Sequence, residues 1–504
     1  MRGFVIIDFG SQSTQLIARR LRELGYYSEI HSYKISTDEI RKKNPFGIIL
    51  SGGPNSVISD RATQNIAELG EIVPVLGICY GLRLIVHQLG GEVKKSTVPE
   101  YGRQEIRWQK NIAGIPESHF VWMSHGDEIV RLPEGFEVLA KSTNGHIAAL
   151  GKSNFLALQF HAEAAHTEHG VEIFKYFAEE MCKAERNWSA PEIKNLLIQE
   201  VRATVRDQDH VLVALSGGVD SSVVATLLTE ALGADRVHCV FVDTGLLRKN
   251  EYEEVMAQYQ KFGLNVKGID AKKEFLSTLA GKTDPELKRK AIGGLFIEVF
   301  EKSYDKSLPI KWLAQGTIYP DVIESVSFDG TVTIKSHHNV GGLPEKMNLG
   351  LVEPVRGLFK DEVRGLGKEL GLPEKMLWRH PFPGPGLAIR VLGEVTEEKL
   401  NIMKEADSIF ISELREHGLY GKMFQAFCVL LPVKTVGIQN DQRTYEYVLS
   451  LRAVSSSDGM TADWYPFEFE FLRKVSNKIT NQVQGVNRVV YDVTSKPPGT
   501  IEWE

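Results

Sequence analysis

Cysteine is scarce in this 504-residue chain: there are four, Cys79, Cys182, Cys239 and Cys428, far apart and with no C-x-x-C pair. That spacing argues against a disulfide framework or a thiolate zinc site and points to a reducing compartment. There is no excess of basic residues either. Lys+Arg is 59 against Asp+Glu 65, a net charge of -6, which excludes a broadly basic nucleic-acid coat. No apolar run reaches the roughly 18 residues of a membrane helix. The opening Met1–Asp8 run is too short for the apolar region of a signal peptide. Internal repeats and low-complexity tracts are missing as well. What remains is an ordinary globular balance, 42% hydrophobic and 25% charged, in a chain long enough for about three domains. The expectation is a cytoplasmic, soluble protein with no membrane and no nucleic-acid partner.

In the first 180 or so residues, short apolar runs alternate with amphipathic stretches. Phe4–Asp8, Gly47–Leu50, Pro74–Cys79 and Phe155–Phe160 read as buried strands. Ser13–Leu24 and Leu82–Leu89 read as helices, with apolar positions three and four apart. The alternation predicts a layered α/β fold around a mostly parallel sheet. It breaks at Asn187-Trp188-Ser189-Ala190-Pro191, where Pro191 suits the first turn of a new helix. A second α/β unit follows: strand Val211–Leu215, a Gly/Ser turn, helix Ser222–Leu232, and strand Val237–Val242 ending in Asp243. Trp312-Leu313-Ala314-Gln315-Gly316 reads as a later strand edge. His380-Pro381-Phe382-Pro383-Gly384-Pro385-Gly386 is too rigid and donor-poor for a helix or a central strand. Beyond it the chain turns α+β.

Gly77-Ile78-Cys79-Tyr80-Gly81 stands where a strand turns into a helix. Small residues two before and two after the thiol allow the tight turn of a nucleophile elbow. A helix N-terminus then favours thiolate, the form that attacks carbonyls. A buried, inert cysteine fits the same motif. Two other strand ends bear on the choice. Gln159-Phe160-His161-Ala162-Glu163 offers a base with an orienting carboxylate two residues on. Leu50-Ser51-Gly52-Gly53-Pro54 offers backbone N–H groups for an oxyanion. Strand ends on one edge of a parallel sheet converge, so the three can meet. A metal cluster of His161, His166 and His169 is the alternative, but its spacings of five and three are not a zinc pattern and no cysteine joins it.

Gly-x-Cys-x-Gly with a downstream His-x-Glu and an upstream Ser-Gly-Gly-Pro resembles the class I (triad) glutamine amidotransferases. The resemblance implies that Cys79 attacks the γ-amide of glutamine, His161 passes the proton to the leaving ammonia, and Glu163 holds His161. It also implies that the backbone N–H groups of Gly53 and Tyr80 receive the oxyanion. Arg83 stands where that family usually has Gln, and Ala162 where it usually has Pro.

Ser216-Gly217-Gly218-Val219-Asp220-Ser221-Ser222 lies between a strand and a helix. Its glycines let N–H groups approach phosphate, its hydroxyls add donors, and the helix start supplies positive potential. A Walker A loop is excluded, because Gly-Lys-Ser/Thr is missing and an Asp stands inside. An ordinary Gly/Ser turn is the alternative. Asp220 and the strand-end Asp243 are candidate Mg²⁺ or nucleotide contacts. Lys360, in Leu358-Phe359-Lys360-Asp361-Glu362, is either a cation for the reacting phosphates or an exposed helix lysine. His337-His338 read as ordinary loop residues. The loop resembles that of ATP pyrophosphatases. This implies ATP cleaved between its α- and β-phosphates, an adenylated acceptor, and Mg²⁺ to screen the charge.

Joined, the two halves imply ATP-driven amidation with ammonia from glutamine. Longer motifs resemble the glutamine-hydrolysing GMP synthase family: Asp8-Phe9-Gly10-Ser11-Gln12, Gly316–Ser325, Lys335–Pro344, Arg379–Gly386 and Lys496–Glu504. That resemblance implies xanthosine 5′-phosphate as acceptor and GMP as product. It implies a class I glutamine amidotransferase domain over 1–187, a parallel-sheet ATP pyrophosphatase domain over 188–379 and an α+β dimerisation domain over 380–504. A homodimer is implied too, with a xanthylate site at Arg379, Lys496, Thr500, Ile501 and Glu502. Lys and Arg suit a phosphate dianion, and a carboxylate accepts from purine N–H groups. Gln439–Arg443 and Gly294 depart from the family pattern. Asparagine synthetases that pair the same two activities need Cys at position 2, where this chain has Arg2. An RNA-modifying ATP pyrophosphatase needs a basic docking surface, against the net charge of -6.

Overall fold

Runs of four or five apolar residues bounded by turns become parallel strands, because they are buried on both faces. In the first unit, Met1–Glu192, these are β1 (Phe4–Asp8), β3 (Gly47–Leu50), β4 (Val75–Ile78) and β9 (Phe155–Leu158), joined at one edge by β2 (Ser28–Ser32). The computed structural model describes residues 1–11, 13–57, 65–112, 114–325, 349–439, 441–456 and 461–504. The Lys335–Pro344 stretch, with His337 and His338, lies outside the described residues.

The expectation of a mostly parallel sheet holds for only half of this unit. β5 (Glu92–Trp108), β6 (Ser118–Arg131), β7 (Glu137–Ser142) and β8 (Ile147–Lys152) are antiparallel. Among the described residues the sheet runs β2-β1-β3-β4-β9-β8-β7-β5-β6. Burial alternates residue by residue along much of β6, the pattern of a sheet with one solvated face, although its sequence holds the apolar run Phe120–Met123.

The second unit begins at Ile193 and runs to Glu504. Its parallel sheet has the order β12-β11-β10-β13-β14. The strands are β10 (His210–Leu215), β11 (Val237–Asp243), β12 (Val266–Asp270), β13 (Ile310–Ala314) and β14 (Gly350–Val352). A second sheet is built on the long hairpin β15 (Gln425–Gln439) and β16 (Gln442–Ser455), to which β17 (Asp463–Trp464) and β18 (Val486–Tyr491) are added. One apolar cluster serves both sheets. Leu212 and Leu313 join Met403 and Phe410 of helix Glu397–Glu416 and Leu449 and Leu451 of β16. No helix among the described residues is long and apolar enough to cross a membrane.

Two helices begin earlier than their apolar periodicity indicates. Tyr80–Gln88 starts two residues before Leu82, and Val219–Leu232 starts three before Ser222. Each opening holds one apolar residue, Tyr80 or Val219, followed by glycine or polar residues that leave the stripe incomplete. The consequence is chemical: Cys79 becomes an N-cap, and Asp220 enters a first helical turn.

Candidate active sites

β4 lies between β3 and β9, with Leu50 opposite Gly77 and Ile78 opposite Leu158, so three strand ends leave the sheet side by side. The chain turns from β4 into the helix through Cys79 alone, at φ 52° and ψ -99°. A conformation so sparsely populated costs on the order of 1–3 kcal/mol and persists only where the surroundings enforce it. Packing demands the small neighbours. A Cβ on Gly81 would sit 2.4 Å from Leu50 O, and one on Gly77 would sit 2.8 Å from the Gly81 carbonyl.

The structure brings Cys79, His161 and Glu163 together. Cys79 is buried, and His161 acts on its ionisation. His161 Nδ1 is 2.7 Å from Glu163 Oε1, which leaves Nε2 for the sulfur. Glu163 is fully buried, and its Oε1 also accepts from Ser13 Oγ at 2.6 Å. The Asp8 motif now has a physical role. Asp8 Oδ1 accepts from Gly10 N at 2.9 Å and from Thr14 Oγ1 at 2.7 Å, shaping the loop that carries Ser13. Gly53 lies against the elbow: a Cβ there would come within 3.4 Å of Tyr80 Cγ and 2.7 Å of Phe9 O. His166 and His169 go elsewhere, to the rings of Trp122 and His119 at 4.9 and 5.4 Å.

Burial opposes ionisation of Cys79, but the hydrogen bond and charge of His161 and the charge of Arg83 outweigh it, and the thiol pKa falls below its ordinary value. Burial likewise works against a charged His161, yet its bonds to Cys79 and Glu163 and their charges raise it to about 10. Both shifts favour the thiolate–imidazolium pair over the neutral one. Cys182 and Cys239 show burial acting alone, pushed up to about 12.

Sequence reasoning missed the rest of the sulfur's surroundings. Arg83 Nη2 lies 3.7 Å from Cys79 Sγ, Gln159 Nε2 3.9 Å and Ser124 O 3.6 Å, while Arg83 Nη1 donates to Asp127 Oδ2 at 2.7 Å. No local pattern could have joined Arg83 to a residue on β6.

In the second unit β10 lies between β11 and β13, and the phosphate-loop candidate leaves its end. Gly217 takes φ +74°, a conformation that L side chains rarely adopt. The serines hold the loop from inside. Ser216 N donates to Ser221 Oγ at 3.2 Å, Gly218 N to Ser216 Oγ at 3.3 Å, and Ser222 Oγ to Gly218 O at 2.7 Å. Lys360 is at the loop: its Nζ donates to both carboxylate oxygens of Asp220 at 2.7 Å. Gly316, just past β13, packs so closely that a Cβ would be 3.1 Å from Asp220 Cβ. Asp243 ends β11, where its Oδ1 accepts from Gly245 N at 2.9 Å and its Oδ2 pairs with Lys272 at 3.0 Å.

The residues assigned to xanthylate divide into two groups. Arg379 is on the phosphate loop, with Nη1 donating to Gly217 O at 2.8 Å and Nη2 paired with Glu251. The other four belong to a tail held by buried cations. Arg452 donates to the carbonyls of Thr494, Thr500 and Ile501. Arg390 grips Glu502 through Nη2 at 2.8 Å and Nε at 3.2 Å, and Gln425 Nε2 adds a third bond at 2.6 Å. Lys288, with no exposed surface, meets Glu504. Lys496 is fixed by a reciprocal backbone bridge to Ala462.

Three family profiles match the chain: Glutamine amidotransferase class-I over residues 5–181, NAD synthase over 189–292, and GMP synthase C terminal domain over 412–503. Among curated proteins, the chain is 70% identical over 506 residues to the GMP synthase [glutamine-hydrolyzing] of Bdellovibrio bacteriovorus, covering 100% of both chains. It is 54% identical to the protein of the same name from Aquifex aeolicus, covering 100% of this chain and 99% of that one. The namesake from Brachyspira hyodysenteriae is 51% identical over 99% of this chain and 98% of its own.

Proposed function

The chain belongs to the glutamine-hydrolysing GMP synthase family, and on that premise we propose which of its residues carry each step. It is an enzyme that draws on glutamine and ATP to make GMP. In the first step the Cys79 thiolate attacks the γ-carbonyl carbon of glutamine, while the N–H groups of Gly53 and Tyr80 receive the oxyanion. His161 gives its proton to the departing nitrogen, ammonia leaves, and a thioester remains. His161 then takes a proton from water as it attacks the thioester carbon, the sulfur leaves, glutamate is released, and the Cys79 thiolate and protonated His161 are restored. The observation that carries this reading is the 2.7 Å bond from His161 to a fully buried Glu163, together with a buried Cys79 at the point where strand turns into helix.

In the second step an oxygen of xanthosine 5′-phosphate attacks the α-phosphorus of ATP and pyrophosphate leaves. Ammonia then displaces AMP to give GMP. The loop Ser216, Gly217, Gly218, Val219, Asp220, Ser221 and Ser222 grips the leaving pyrophosphate, and Lys360 neutralises it. Asp243 contributes through the loop's neighbouring strand end. Asp220 fits a magnesium ion: it is a hard oxygen donor with 27% of its side chain exposed, and such an ion takes one or two carboxylates together with phosphate oxygens. When bound, the ion screens the pyrophosphate charge. Lys496, Thr500, Ile501 and Glu502 form the xanthylate segment, and Arg379 supports it from the loop.

The division into domains 1–187, 188–379 and 380–504 is retained in this reading. Homodimerisation through the last domain is supported by apolar side chains left bare on the β15–β16 hairpin, among them Ile438, 76% exposed, and Tyr445, 62%. A cytoplasmic enzyme fits four free cysteines and the supply of ATP and glutamine. The test is incubation with xanthylate, ATP, Mg²⁺ and glutamine, with nucleotides resolved by chromatography. GMP and AMP in equal amounts are expected; no GMP from a folded preparation refutes the assignment.

A further inference from the structure

We infer that Arg83, steered by Asp127, is a working part of the glutaminase centre: its guanidinium holds the Cys79 sulfur as thiolate in the free enzyme. The inference rests on Cys79 being the nucleophile. The observations are geometric. All three nitrogens of the buried guanidinium are engaged, Nη2 toward Cys79 Sγ at 3.7 Å, Nε toward Cys79 O at 3.5 Å and Nη1 to Asp127 Oδ2 at 2.7 Å. With side-chain exposures of 7% and 12%, the Arg83–Asp127 pair is too buried for solvent to screen it well.

Counting donors and acceptors around the sulfur gives the same result. Arg83 and Gln159 each direct an N–H at it, whereas among the described residues one acceptor, Ser124 O, is placed for a thiol proton. Two donors to one acceptor favour the anion. The ionisable groups facing the sulfur are His161 and Glu163 from the segment after β9, Arg83 from its own helix and, beyond Arg83, Asp127 from β6. Asp127 is itself fixed. Ser56 Oγ donates to its Oδ2 at 3.0 Å, and its carbonyl meets His125 Nδ1 at 3.0 Å on a ring held by the buried Glu100. Arg83 therefore touches the reacting atom, and Asp127 is a positioning residue that acts through it.

The two residues carry opposite charges, so the hypothesis makes predictions of opposite sign. The rate of Cys79 alkylation by iodoacetamide is measured against pH in the full chain, with Cys182 and Cys239 too weakly acidic to interfere at neutral pH. In Arg83→Gln the acid limb moves up by about one pH unit, a roughly tenfold slower reaction below the limb. In Asp127→Asn the amide oxygen still accepts from Nη1 but the opposing charge is gone, so the limb moves down. Arg83→Lys keeps the charge and stays near wild type, which covers the case where Arg83→Gln folds poorly. Ammonia-driven GMP formation reports folding in each variant. A limb that does not move in Arg83→Gln, or that moves upward in both Arg83→Gln and Asp127→Asn, overturns the inference. Glutamine-dependent activity surviving Cys79→Ala would instead overturn the reading beneath it.

Discussion

The two candidate active sites use the same backbone device, a parallel strand that turns into a helix at its carboxyl end, but their ionisable groups are set in opposite ways. At the elbow each group faces its working partner: His161 favours the ionised Cys79 thiol, and Glu163 stands behind the imidazole. At the phosphate loop the charges are turned on one another. Lys360 is spent on Asp220, and Arg379 on Gly217 O and Glu251. The difference follows from what each site must receive. A nucleophile has to be ionised before a neutral amide arrives, because the amide brings no charge to ionise it. A loop built for a polyanion is better left neutralised until the polyanion supplies the counter-charge, since uncompensated lysine and carboxylate in a half-buried site are costly.

Removing the nucleophile is the severest way to break this comparison. Cys79→Ala should abolish glutamine-dependent GMP formation while leaving synthesis from high ammonia near wild type. Loss of both in a folded variant would show that the sites are not separable. Lys360→Ala or Asp220→Asn should do the converse, cutting pyrophosphate release with xanthylate and ammonia by about 10²-fold. Alkylation of Cys79 should be untouched, and normal release in both variants removes the loop from the mechanism. Lys496→Ala is expected to raise the KM for xanthylate roughly tenfold and that for ATP much less, as the loss of one charge-assisted contact predicts. Equal rises for both substrates would mean the tail is only structural.

The two reactions should also part company with pH. Glutaminase activity needs thiolate, whose pKa is lowered, so it is lost as pH falls through that depressed value. It needs imidazolium, raised to about 10, so it is lost again as pH rises through about 10. The ammonia-driven reaction should instead climb steadily above neutrality, since only unprotonated ammonia attacks. Parallel profiles would contradict the separation.

How much of this was legible in the sequence depends on distance along the chain. Cys79, His161 and the loop from Ser216 to Ser222 announce themselves because each motif is contiguous, and a strand–turn–helix leaves a local signature. The antiparallel half of the first sheet is less legible, because runs such as Phe120–Met123 and Ile147–Leu150 do not tell a parallel from an antiparallel strand, and one-sided burial is set by tertiary packing. Arg83 was visible only as a departure from a family pattern. Its partner Asp127 sits on β6, 44 positions away, where no local rule connects them. Lys360 was left open for the same reason, as its carboxylate lies 140 positions upstream. The resemblance puts Arg379 near the tail segment, but its bonds to Gly217 O and Glu251 are not legible in sequence, because a resemblance assigns a residue to a neighbourhood and not to a bond.

The φ of 52° at Cys79 has a consequence for thermal endurance. A residue held in so sparsely populated a region weakens the native state by about 1–3 kcal/mol, a cost glycine escapes because it has no Cβ. Alanine keeps that cost. Glycine normally destabilises when it replaces alanine, yet at this position the order should invert, with Cys79→Gly melting several degrees above Cys79→Ala. Both variants would be inactive toward glutamine. The gap between their melting temperatures would then measure, in degrees, the heat tolerance this fold gives up to keep a thiol at the point of the turn.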